Sequence, residues 1–323
     1  MCEMLAEFAV TVISAVIGFG VSLMVWRSDR YRASVYGMFT SLTLTIVWMF
    51  YFATLNPLHG EMIAGETASG REIGLALLFA VYLNYLIAYL LVRNAGLTLH
   101  RAASWENNVR KMSLFVSLVS VGLYPRLLGV YALLYLVIGV WLLKNREGYI
   151  RNMTNAERLD LGWIKGFLKK YGVDVEEVYG IKDCFTALLT GRRLFIGERL
   201  LEFEPDETKV MVLEAAYVES RGIAVRQLIL GLLVFLISGM VVADIGDWTL
   251  KLAGAAFLTL LSWGVDLAYI IQVRTATDRF VAEELGKETL QRTLKKVTEL
   301  AKRRKGKDEF MTLANVDKRM KKV

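Results

Sequence analysis

Six uninterrupted apolar runs, at about residues 4–25, 35–55, 73–92, 112–143, 223–243 and 250–271, constrain this chain of 323 residues more than anything else in it. Each matches or exceeds the roughly 18 residues that cross a bilayer as a helix. Inside lipid a backbone must satisfy its own hydrogen bonds, so long apolar runs of this kind are read as helices. The expected fold class is mainly α, a polytopic membrane protein. With 55% hydrophobic residues the chain is too apolar for an ordinary soluble domain.

The run at 112–143 is too long for one untilted span at ~1.5 Å per residue, and Tyr124-Pro125-Arg126 sits near its middle. Proline breaks a helix and an arginine at mid-membrane is costly, so a tight hairpin of two short spans is expected there. That gives about seven transmembrane helices. The first run is too long for a signal-peptide core and is expected to stay as an anchor.

Formal net charge is +7. Its distribution reads as a topology signal, because Arg27, Arg30 and Arg32, and then Arg93, Arg101, Arg110 and Lys111, alternate with poorly basic loops at 56–72 and 244–251. By the positive-inside rule the former face the cytoplasm, the N-terminus faces out and the C-terminus is cytoplasmic. Basic and aromatic residues are not interleaved as in a nucleic-acid binder, so no nucleic-acid partner is expected. Cys2 and Cys184 read as two free thiols. Few His, Cys and Gln with many Lys and Glu suit a heat-adapted prokaryote, and a prokaryotic plasma membrane is the expected setting.

The chain then divides into an N-terminal membrane bundle (1–143, about five spans), a first cytoplasmic part (144–222), a two-span membrane hairpin (223–271) and a second cytoplasmic part with a basic tail (272–323). Within 144–222 the pattern predicts a helix at about 155–171, short strands around Cys184–Leu189 and Leu194–Gly197, and a helix from about 205. Pro205 with Asp206 and Glu207 marks that last start. A further helical pattern runs from Asp278 to about Arg304, with a break at Gly286.

Two stretches carry a specific pattern. The first comprises Asp183-Cys184-Phe185-Thr186, Thr190-Gly191, Leu194 to Leu201, and the helix with Asp206, Glu207, Glu214, Ala215 and Val218. The second is Asp278-Arg279-Phe280-Val281-Ala282-Glu283-Glu284-Leu285-Gly286. Together they resemble the membrane zinc metallopeptidases of family M forty-eight, which include the CaaX prenyl protease and the heat-shock protease HtpX. In that family an edge strand and a second strand precede a helix carrying HExxH. Two spans later comes a Glu-x-x-x-Asp helix. The resemblance covers roughly residues 150–300 and implies a small α+β cytoplasmic metallopeptidase-like domain.

What the resemblance also implies is a lost active site. A zinc site of this kind needs two histidines four residues apart on one helix face and a carboxylate beside the first. Aligned on Asp206-Glu207, the first histidine falls on Glu214, the general base on Ala215 and the second histidine on Val218. The third ligand, a glutamate, falls on Arg274. Asp278, which in the family orients a ligand, is kept. The chain has only two histidines, His59 and His100, so no HExxH lies at another register. No catalytic residue, metal or other cofactor is expected.

The swap suggests a Glu214–Arg274 ion pair, with Asp278 reaching Arg274 at i and i+4, as a replacement for the metal; both side chains facing water is the alternative. Asp183, Cys184, Phe185 and Thr186 mark an expected peptide-binding edge. Within the membrane runs, Asp266 calls for a partner, with Arg226 as the candidate, and Asn84 adds a polar group beside Tyr82, Tyr85 and Tyr89. Three functions stay open. One is a pseudopeptidase that binds or presents a peptide or membrane protein, or regulates an active relative. The second is a residual membrane enzyme using Glu214 or Asp278, and the third a transporter or pore through Asp266. The lipid bilayer is the partner common to all three.

Overall fold

The computed structural model describes residues 2–55, 68–182 and 184–303. The fold is mainly helical with one small sheet, and it divides into two compact units. The first contains residues 1–95, 104–142 and 228–266; the second contains 96–103, 143–227 and 267–323.

Long helices build the first unit. Helices α1 (Cys2–Val25), α2 (Arg30–Leu55) and α3 (Ala68–Val92) pack side by side. Glycine sets the spacing of the first two. A Cβ at Gly18 would run into the backbone of Ser41, and one at Gly37 into the ring of Phe19. Lipid supplies no hydrophobic drive between helices, so close backbone approach of this kind carries the packing.

Helix α4 (Leu99–Leu123) ends two residues before Pro125, as a proline there is expected to make it, and α5 (Leu127–Thr154) begins two residues after Pro125. The chain doubles back at Tyr124–Arg126, since the Arg110 guanidinium donates to the Tyr135 hydroxyl at 3.1 Å across the break. A proline has no amide hydrogen to continue the helix. Helices α8 (Ile223–Asp244) and α9 (Trp248–Leu285) complete the membrane-type elements. Among the described residues, five segments are long and apolar enough to cross a membrane: Glu7–Val25, Gly70–Val92, Leu127–Thr154, Ile223–Asp244 and Thr249–Leu285. They suit a lipid bilayer. Helix α2 carries Arg30, Arg32 and several Ser and Thr, and the first half of α4 carries Arg101, Glu106, Arg110 and Lys111. These charges hold the mean hydropathy of α4 below that of the five, whereas the second half of α2 is apolar.

The second unit holds a four-stranded sheet in the order β1-β2-β4-β3. Its strands are β1 (Glu157–Leu159), β2 (Glu177–Ile181), β3 (Ala187–Thr190) and β4 (Arg193–Gly197). The β1–β2 and β3–β4 pairs are antiparallel and β2–β4 is parallel. Helices α6 (Gly162–Lys169), α7 (Pro205–Ser220) and α10 (Lys287–Arg303) belong to the same unit. One core joins Ile164 and Leu168 of α6, Val178 and Ile196 of the sheet, Val210 and Leu213 of α7, Val281 of α9, and Leu290 and Leu294 of α10. Gly286, at φ +88°, separates α9 from α10 at the expected break. That left-handed conformation costs glycine little.

Several expectations change. The helix expected over 155–171 is shorter, and its first part forms β1 instead. Strand β2 was not expected at all. The strand expected to start at Cys184 starts at Ala187, and the last span and the Asp278 helix are one continuous element, α9, about 57 Å long at ~1.5 Å per residue. Residues 96–103 join the second unit because the Leu97 amide donates to the Met153 carbonyl at 2.7 Å. His100 lies in the first turn of α4. His59, Asp183 and the tail beyond Arg303 lie outside the described residues.

Candidate functional site

Helix α7 is the centre of the second unit, and its start is fixed by its sequence. Pro205 opens it with a preset φ. Glu204 caps the amide of Glu207, and the Glu207 carboxylate accepts from the Glu204 amide at 3.2 Å, a reciprocal capping box. Glu207 is only 2% exposed. Its charge is answered from α10, by Lys296 at 2.6 Å and Arg292 at 3.4 Å. Lys296 also lies 4.3 Å from the centre of the Phe203 ring. These ties hold α10 against the N-terminal end of α7. Outside them, the Asp206 carboxyl is held below its usual range by its hydrogen bond and charge attraction to Lys209.

Further along α7 lie the positions singled out from the sequence. Glu214 and Val218 are half-buried and Ala215 is buried. On α9, Arg274 is half-buried and Asp278 is 1% exposed. The two stretches converge, for Phe280 stacks on Tyr217 with ring centres 4.8 Å apart, and Val281 enters the core shared with Val210 and Leu213. None of Glu214, Arg274 and Asp278 is without an interacting neighbour.

These residues do not fit a zinc ion. Alanine, valine and an arginine guanidinium offer no ligand atom, which leaves one carboxylate, Glu214, where three ligands and a base are needed. Among the described residues no group of three or more His, Cys, Asp and Glu could hold a metal.

Beside α7 the sheet ends in β3, its edge strand. The Gly197 amide donates to the Thr186 carbonyl at 2.9 Å, and the register pairs Leu188 with Phe195 and Thr190 with Arg193. In an antiparallel ladder alternate residues face the partner strand. Ala187 and Leu189 therefore turn their amides and carbonyls outward, away from β4. The end of this strand is pinned to α7, since the Glu219 carboxylate accepts from the Gly191 amide at 2.7 Å. Glycine is required in that turn, with φ +58°. Of the expected edge, Cys184 and Phe185 are buried instead of open, and the Cys184 carbonyl lies where a Cβ on Gly197 would fall. Thr186 faces β4. The edge strand itself is one step further on, at Ala187–Thr190, where Ala187 and Leu188 are half-buried and Leu189 and Thr190 are buried.

In the first unit Asp266 meets Lys111 at 3.1 Å and the Asn107 amide at 3.5 Å. The cation expected there was Arg226, which lies exposed on the first turn of α8. Asn107 also accepts from Arg110 at 2.9 Å, so a polar chain runs Tyr135, Arg110, Asn107, Asp266 and Lys111 across α5, α4 and α9. The sequence does not single out Lys111, although it sits just before the start of its apolar run at 112–143 much as Asp266 sits near the end of its own at 250–271. Asn84 is fully buried; its amide donates to the Ala80 carbonyl at 2.8 Å, and its Oδ1 has no partner among the described residues. Tyr85 and Tyr89 pack against Trp105.

No model of a known protein family matches this chain, and no curated protein matches it in sequence.

Proposed function

We propose that this protein is a membrane pseudopeptidase: a scaffold resembling the family M forty-eight zinc peptidases that binds an extended segment of a peptide or membrane protein and does not hydrolyse it. The observation that carries the reading is that β3 is an edge strand of the sheet, with Ala187 and Leu188 partly exposed and the amides and carbonyls of Ala187 and Leu189 turned away from β4. An unpaired strand edge of this sort takes an extended peptide by backbone pairing, which needs no metal. Support also comes from the order of elements: edge hairpin, α7, the apolar helices α8 and α9, then the buried Asp278 on the far end of α9. That order is the one the resemblance implies.

In this reading α2 and α4 also cross the membrane, giving about seven spans, and the second unit lies on the cytoplasmic side with the basic tail. Glu214 and Arg274 form the tie that takes the place of the metal between α7 and α9. The pairing of Asp266 with Lys111 favours a structural role for that carboxylate over a transport path.

The test is Ala187→Pro. It removes one outward amide and leaves the β3–β4 hydrogen bonds in place. With the full-length protein in nanodiscs and a fluorescent library of unfolded peptides as probe, the account predicts that the variant loses most binding while its melting temperature stays near that of the native protein. Equal binding by both would remove the strand edge from the account.

A further inference from the structure

Apart from the strand edge, one surface of the second unit stands out by its chemistry. Trp163, Phe167 and Tyr171 recur every fourth residue along α6 and just past its end, which brings them to one side. The row continues onto other elements. Phe167 meets Tyr171 edge-on at 5.3 Å, Tyr171 meets Phe280 at 6.3 Å, and Phe280 stacks on Tyr217. The inner sides of Phe167, Tyr171 and Phe280 rest on the core while each ring stays partly exposed, and Trp163 is 44% exposed. Beside Trp163, Gly162 and Gly166 leave open space.

Cations border this row. Lys209 lies 5.9 Å from the Phe167 ring and the Arg221 guanidinium 5.2 Å from the Tyr217 ring. Lys169 and Lys170 are exposed on α6. The acids nearby are fewer: Asp206 is engaged by Lys209, and Glu284 acts on Tyr171.

We propose that this aromatic row, with Lys169, Lys170 and Arg221 at its borders, docks into the headgroup layer of an anionic bilayer leaflet. Tyrosine and tryptophan offer an apolar body and a polar tip, the chemistry that sorts them to the membrane interface. Lysine and arginine beside them complement anionic headgroups. Chain continuity places lipid close by. Tyr217 lies one turn before the Arg221-Gly222 link into α8, which is apolar enough to cross a membrane and bears the exposed Arg226 on its first turn. An acidic polypeptide would satisfy the lysines but has no need of the rings. The inference does not depend on the peptidase resemblance.

The experiment places an environment-sensitive nitrobenzoxadiazole label at residue 163. Full-length protein carrying Cys2→Ser and Trp163→Cys, with Cys184 protected by its burial, is reconstituted into vesicles of phosphatidylcholine alone or with phosphatidylglycerol. The proposal expects emission that shifts to the blue and is quenched by lipid-borne spin labels in the anionic vesicles, with most of that shift lost on adding Lys169→Glu and Lys170→Glu. The same label at Lys170→Cys gives a second reading should Trp163 prove necessary for folding. A label that stays water-exposed in both lipids overturns the proposal, as does a shift seen only on adding an acidic polypeptide. A shift equal in both lipids and untouched by charge reversal overturns the assignment to anionic lipid.

Discussion

Asp266 and Glu207 solve the same problem in different surroundings. Each is a carboxylate on one helix met by a lysine from another, at 3.1 Å and 2.6 Å respectively. Glu207 sits at the start of α7, where helix amides have no partner within the helix, so the backbone itself shares the charge. Asp266 sits inside α9, where every nearby amide is committed to the helix. It depends on side chains alone, Lys111 and Asn107. The buried charge of Glu207 at a helix end is part of the secondary structure, whereas the half-buried charge of Asp266 in mid-helix is an addition that apolar packing could replace.

The largest effect that sharpens this contrast is expected at Asp266. Asp266→Ala strands Lys111 among apolar helices and should destabilise the protein in detergent by about 3 kcal/mol. The double variant Asp266→Leu with Lys111→Met should recover most of that loss, because this half-buried pair lies between apolar helices and removing both partners of an enclosed pair is often close to neutral. A chemical denaturation series on the three variants reads both numbers. No recovery in the double would break the contrast.

Next comes Glu207→Ala, expected to cost about 2 kcal/mol, roughly half from the lost cap and the rest from its pairs with Lys296 and Arg292, discounted because both cations reach water. Here the partner change Lys296→Met should bring no recovery, since the cap stays lost. Recovery as full as at Asp266 would show that the helix end contributes nothing.

Glu219→Ala removes the acceptor for the Gly191 amide at an exposed turn and should cost about 1 kcal/mol. Hydrogen exchange at that amide, faster in the variant, is the direct readout. The smallest effect concerns Asp206. Its pKa is lowered in the folded state by Lys209, so its contribution is fully present above the unfolded carboxylate pKa and is lost as pH falls through the lowered value. Asp206→Asn should flatten the acid side of the stability profile slightly and leave the neutral side unchanged.

Much of this was legible in the residues. Pro125, Gly286 and the Pro205-Asp206-Glu207 start each act through backbone chemistry that any context preserves, and each stands where expected. The short strands were harder. Strand β1 is three residues long within a stretch that also reads as helix, and only its pairing with β2 decides the matter. Cys184 and Phe185, apolar like strand residues, read as part of the edge strand but go into the core, and the strand starts at Ala187. The position of Arg226 at the start of the preceding apolar run makes it the expected partner of Asp266, yet helix packing delivers Lys111.

The measurement that tests the central claim most directly is zinc content, read by elemental analysis of purified protein beside a restoration variant carrying Glu214→His, Ala215→Glu, Val218→His and Arg274→Glu. The account predicts no zinc in the native chain and near one equivalent in the variant, because α7 and α9 would keep the frame of a metal site whose ligands have been replaced. Stoichiometric metal in the native chain, or a folded variant that binds none, would contradict it.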